Sequence, residues 1–388
     1  MSITIIKNAE LYSPHKMGKC DILIAGSEVA QISKNIDVPS SWNAHIIDAS
    51  GLIAIPGLID SHVHIAGAGG EGGPATRTPE MQLSQMLTAG VTTVVGCLGT
   101  DGMTRNLESV LMRVKALRAE GVSAWMYTGA YQVPTPTILG DVGKDLALIE
   151  EVIGTGEIAL SDHRSSGFNL NDLIHLVAHT RVGAMLGGKA GIVNIHMGDA
   201  QNPFKPLYDI VEHSELKLKQ FLPTHCNRNS YIFEDTKEYG KSGYVDLTTS
   251  SYPVFAEFEI KPSVAIVELL KAGVPINHIT MSSDACGSLP HFDENGNLVK
   301  LETGAMKTLY SELVDAVVNE GLDLEIALQT VTSNVANILK IKRKGGITQG
   351  KDADIVLINK KFGIEYYMAM GEVMVNKKQI LKKGTYEK

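Results

Sequence analysis

Residues 51–65, GLIAIPGLIDSHVHI, decide how the rest of the chain is read. The run is apolar until it reaches His62 and His64, and it reads as a buried strand ending in a loop. Side chains alternate along a strand, so residues two apart point the same way. His62 and His64 therefore form a chelating pair at the end of an apolar strand. The plain alternative is two polar residues where a strand meets a loop.

Working outward, the same texture recurs. A helical pattern near 79–89 follows the first run, GVTTVVGCL precedes one near 104–120, and VSAWMYTG precedes one near 142–153. EIALSD, read as a strand with Glu157 at its head, precedes one near 170–185, and AGIVNIHMG one near 205–214. LKQFLPTHCN precedes a pattern near 231–242, GYVDLTTS one near 260–272, and INHITMSSD helices near 305–340. Eight strand-then-helix units predict an α/β fold, a TIM-like (β/α)8 barrel. A doubly wound open sheet is the alternative, and no GxGxxG turn supports it.

Both ends of the chain differ from this middle. Residues 1–56 and 345–388 carry short β-branched runs separated by turns, such as SITIIKNAELYS and DADIVLINKK. Neither end holds enough strands for a sheet, so together they predict one small β-sandwich domain. The barrel, 57–344, is then inserted between its halves.

Composition narrows the function. The 388 residues carry a formal net charge of −8 and no basic run, which argues against nucleic acid. No stretch reaches the length of a membrane span and the first residues lack a signal-peptide pattern, so a cytoplasmic location is expected. Cys20, Cys97, Cys226 and Cys286 show no CxxC spacing and read as reduced thiols.

Further candidate ligands stand at later strand ends: His196 in NIHMGD, His225 in PTHCNRN and Asp284 in SSDACGS. One such histidine is unremarkable, but four histidines and an aspartate at strand ends fall on the face where barrels build active sites. His15, His175, His179, His213 and His278 fall on helices or loops and read as ordinary polar residues.

The order Pro-Gly-Leu-Ile-Asp-x-His-x-His, then single histidines, then a late aspartate resembles the amidohydrolase superfamily of metal-dependent barrel hydrolases. Closer in, GAGGEGGPATRTPE, LGTDG, TGAYQVP, SDHRSS, GGKAG and PTHCNRN resemble the isoaspartyl dipeptidases within it, over nearly the whole chain. The resemblance implies two divalent ions, usually zinc. It places one on His62, His64 and Asp284 and the other on His196 and His225, joined by a bridging carboxylate and a bridging hydroxide. In that family the carboxylate is a carboxylated lysine; here the matching position is Glu157. The charge is kept, but the carboxyl sits three side-chain atoms nearer the backbone, roughly 3–4 Å of extended chain.

The resemblance also implies a dipeptide substrate and a homo-oligomer. It makes Asp284 the proton shuttle and Tyr131 the donor to a developing oxyanion. Arg164, Arg228 and Glu71 become grips for the substrate's carboxylates and ammonium, with Thr100 and Ser288 as further polar contacts. Two rivals stand beside this reading: another amidohydrolase activity, on N-acyl amino acids or cyclic amides, and a non-catalytic scaffold that keeps only the barrel.

Overall fold

In the computed structural model, which describes residues 2–293 and 297–388, Leu58–Val63 is the first of eight parallel strands and is called β1. The others are β2 (Val91–Gly96), β3 (Ser123–Thr128), β4 (Val152–Leu160), β5 (Ile192–Met197), β6 (Phe221–Thr224), β7 (Val245–Thr248) and β8 (Ile279–Ser282). Apart from Trp125, every residue in them is buried. That suits parallel strands covered on both faces, and it explains why they read as near-continuous apolar runs.

β1 to β6 form one sheet in chain order, and β7 and β8 form a parallel pair. Backbone bonds cross both seams. Cys226 N donates to Asp246 O at 3.2 Å, Asp284 N to His62 O at 3.1 Å and His64 N to Ala285 O at 2.9 Å. The end of β8 thus returns to the end of β1. Below that rim, Ile59, Val95, Tyr127, Ile153 and Leu222 pack with Val335, Ile338 and Leu339 from the last helical segment.

A helix follows each strand, and several start where a side chain caps them. Asn106, Asp141, Asn169 and Asn229 each accept a backbone N–H three residues on, before helices Leu107–Ala119, Val142–Leu148, Leu170–Gly187 and Ser230–Tyr239. Such caps satisfy otherwise orphaned first-turn donors.

Three expectations shift. The helix expected near 142–153 stops at Leu148, because β4 already begins at Val152. Glu157 accordingly lies within β4 rather than at its head. The two glycines of VIGTGE mimic a turn but serve close approach: a Cβ on Gly156 would meet Asn194 O at 2.6 Å, at φ +146. A hairpin, Ser288–Phe292 with Leu298–Thr303, follows β8 and was not expected.

The termini do combine. Ile53–Pro56 pairs with Ile3–Tyr12 on one side and with Ile355–Ile358 on the other. The expected sandwich therefore takes the form of one continuous nine-stranded mixed sheet. It encloses its own core, including Leu11, Ile22, Ile24, Ile355 and Leu357.

Candidate metal and active site

His62 and His64 stand at the C-terminal end of β1, both buried. Asn194 Oδ1 on β5 accepts from His62 Nδ1 at 3.1 Å, which fixes the ring and leaves Nε2 facing inward. There it lies 2.8 Å from Glu157 Oε2 and 3.7 Å from Asp284 Oδ1. His64 Nε2 is 3.0 Å from the same Asp284 oxygen and 3.8 Å from Glu157 Oε2.

The other Glu157 oxygen faces the second histidine pair. Oε1 is 2.6 Å from His196 Nδ1 and 3.6 Å from His225 Nε2. His225 is oriented by Thr248, whose Oγ1 lies 2.7 Å from its Nδ1. Burial, and then the charge of His196, push His225 down to about 3, so its ring stays neutral and able to donate a lone pair. Burial alone would raise Glu157, but the charges and hydrogen bonds of His62, His196 and His225 hold it well below the usual carboxylate range. The six expected ligands, His62, His64, Glu157, His196, His225 and Asp284, are therefore brought together around one carboxylate.

These residues fit a divalent metal ion by a direct test. His62 Nε2, Glu157 Oε2 and Asp284 Oδ1 are buried, point into the same space and have no hydrogen bond of good geometry. Leaving such groups unmatched costs about 1–3 kcal/mol each, more for charged ones. A cation held between them would supply the missing partner.

The site forms the floor of a cavity of about 840 Å³, whose walls include Glu71, Thr100, Tyr131, Arg164, Arg228 and Ser288. All the expected substrate contacts thus reach one space. The Tyr131 hydroxyl is 2.7 Å from His196 Nδ1. Burial, followed by the Glu157 charge, keeps that phenol well above its ordinary pKa and therefore protonated. The Arg164 guanidinium lies over the Tyr131 ring, 5.2 Å from its centroid, and 3.9 Å from Glu71 Oε1. Among the described residues, Glu71 Oε2 and Ser288 Oγ are buried without a hydrogen-bond partner. Apolar groups line the rest, among them Phe255, Phe258, Leu289 and Pro290.

Sequence reasoning passed over several supports. Asp162 Oδ2 lies 3.0 Å from His196 Nε2, 2.8 Å from Arg164 Nη2 and 3.9 Å from Arg228 Nη1. Its place two residues before Arg164 in SDHRSS was the available signal. Asp246 ties β6 to β8 beneath the site, accepting from Thr224 Oγ1 at 2.8 Å and Thr280 Oγ1 at 2.6 Å. Cys97, which reads as a reduced thiol, lies beside His64.

Known proteins share this architecture. The amidohydrolase family profile matches residues 212–377. A β-aspartyl dipeptidase from Fervidobacterium islandicum AW-1, solved in complex with β-Asp-Leu, is 41% identical with a TM-score of 0.93, covering 99% of both chains. Another structure of a β-aspartyl dipeptidase from that organism is 38% identical with a TM-score of 0.90, over 99% of this chain and 100% of that one. A dihydroorotase from Elusimicrobium minutum is 25% identical over 92% of this chain and 88% of its own length. Four imidazoles and two carboxylates on one rim, together with end-to-end likeness at 41% identity, place the chain in the amidohydrolase family, among its β-aspartyl dipeptidases.

Proposed function

We propose that the chain hydrolyses β-aspartyl dipeptides, with Glu157 bridging two divalent ions. His62, His64 and Asp284 would hold one ion, and His196 and His225 the other. Zinc suits this nitrogen and carboxylate set, as do manganese, iron and cobalt. The observation that carries the reading is the placement of Glu157, one oxygen 2.8 Å from His62 Nε2 and the other 2.6 Å from His196 Nδ1. The seam bonds support a closed (β/α)8 barrel over 57–344, and the mixed sheet supports a β-domain of 1–56 with 345–388.

Bound there, the ions would polarise the scissile carbonyl and lower the pKa of a water between them. The chain's own groups do the rest. Asp284, held ionised against its burial by His64 and His62, accepts the proton of the attacking water and returns it to the leaving amine. The Tyr131 hydroxyl donates to the oxyanion as it forms. Arg164 and Arg228 grip the two carboxylates of a β-aspartyl dipeptide, and Glu71 its ammonium. Thr100 and Ser288 add polar contacts at the wall. The apolar side around Phe255 and Leu289 receives the leaving residue.

The test compares kcat/KM for β-Asp-Leu with that for a hydantoin, dihydroorotate and N-acetyl-leucine. Neutral or singly charged substrates lack partners for the two arginines and Glu71. A preference for β-Asp-Leu of a hundredfold or more is expected. Faster turnover of a cyclic amide would favour the alternative of a cyclic-amide hydrolase.

A further inference from the structure

We infer that Cys97 is a thiolate ligand of the ion held by His62, His64 and Glu157, an inference that rests on the dimetal reading above. Cys97 follows β2 directly and is fully buried. Its sulfur lies 3.8 Å from His64 Nδ1 and 3.6 Å from Val63 O. One donor atom from each of His62, His64, Cys97 and Glu157 falls within 4.8 Å of the others, the span of a single coordination sphere. A buried cysteine alone would be only a small apolar residue. A second observation sets this one apart: among the described residues the buried His62 Nε2 and Glu157 Oε2 have no hydrogen-bond partner, and both residues belong to the same donor group as Cys97.

The thiolate answers two difficulties of a glutamate bridge. Glutamate reaches less far from the backbone than a carboxylated lysine, so a further donor beside it would help to hold an ion there. Cys97 stands level with His64, its backbone N–H donating to Val63 O, and belongs to the buried cluster that includes Val95, Tyr127 and Ile153. Charge is the second. Glu157 and Asp284 offset two of the four positive charges of two dications, on buried side chains where charges interact strongly. A coordinated thiol loses its proton to solvent, one per ion bound, and adds a third negative charge without another carboxylate. Sulfur also narrows the choice of metal, since soft thiolate favours zinc, cobalt or cadmium over magnesium or manganese.

The test is spectroscopic. Metal-free full-length protein is loaded with cobalt(II) under argon, its cobalt content measured, and its near-ultraviolet absorption recorded. A sulfur-to-cobalt charge-transfer band is expected in the wild-type protein. It should persist in Cys226→Ala and Cys286→Ala and vanish in Cys97→Ser and Cys97→Ala, whose retention of one ion against a chelator falls tenfold or more. Two cobalt ions bound without the band, or a band that survives Cys97→Ala, would overturn the role of Cys97 and leave the metal pair standing. A band with a single cobalt would uphold Cys97 and overturn the metal pair. The wild-type spectrum decides even if a variant fails to fold.

Discussion

Asp162 and Arg164, two residues apart on the loop after β4, form a bidentate pair, with Arg164 Nε 2.9 Å from Asp162 Oδ1 and Nη2 2.8 Å from Oδ2. The same carboxylate reaches His196 Nε2 at 3.0 Å, so one side chain orients both the imidazole proposed to hold an ion and the guanidinium proposed to grip the substrate. Asp162→Asn keeps the shape and removes the charge. Groups that orient ligands in this way are worth about 10–100-fold in activity or affinity. We expect kcat/KM for β-Asp-Leu to fall by that range, with weaker zinc retention. Unchanged steady-state kinetics would show the pair to be ornamental.

The two arginines and Glu71 are predicted to act on binding more than on the chemical step. Arg228→Lys and Arg164→Lys lose the planar fork that fits a carboxylate. KM for β-Asp-Leu should rise tenfold or more, with a smaller change in kcat. Glu71→Gln should discriminate further. It weakens turnover of β-Asp-Leu, which carries a free ammonium, and leaves the slow turnover of N-acetyl-β-Asp-Leu as it was. Equal losses on both substrates would contradict the assignment of Glu71 to the ammonium.

Stability should carry a signature from Asp60, which lies beneath the metal histidines. Burial pushes its carboxyl up to about 7, against hydrogen bonds from Ser283 and the His62 backbone. In the unfolded chain it titrates near about 3.9. Between those values the folded protein keeps a proton the unfolded chain has lost. Its contribution is therefore complete below the lower pKa and declines as pH rises towards the upper one. Urea midpoints of metal-free protein from pH 5 to 8 should fall more steeply with pH in the wild type than in Asp60→Asn. The difference between the two should approach about 1.4 kcal/mol per pH unit. Parallel curves would refute it.

What could be read from the sequence follows from which signals are local. His62 and His64 are legible because a strand's two-residue period fixes their common direction. His196, His225 and Asp284 are legible because each closes an apolar run. Glu157 reads as the head of a strand, and only the packing of Gly154 against Ile192 and Tyr127 and of Gly156 against Asn194 shows that the strand begins earlier. The supports are another matter. Asn194, Thr248, Asp246 and Cys97 stand on different strands from the groups they serve. No spacing in the chain connects Cys97 to His64 or Asn194 to His62; the contact exists only once β1, β2 and β5 lie in one sheet. The hairpin after β8 escaped for a similar reason, its polar residues masking the alternation of a paired strand.

The central claim is that a glutamate already present in the chain bridges the metal pair, so no carbon dioxide is needed to build the bridge. The most direct measurement is reconstitution of metal-free protein with zinc in bicarbonate-depleted buffer, following zinc bound per chain alongside hydrolysis of β-Asp-Leu. Two zinc ions and full activity without bicarbonate are predicted. Uptake of a single ion, or activity that appears only when bicarbonate is restored, would contradict it.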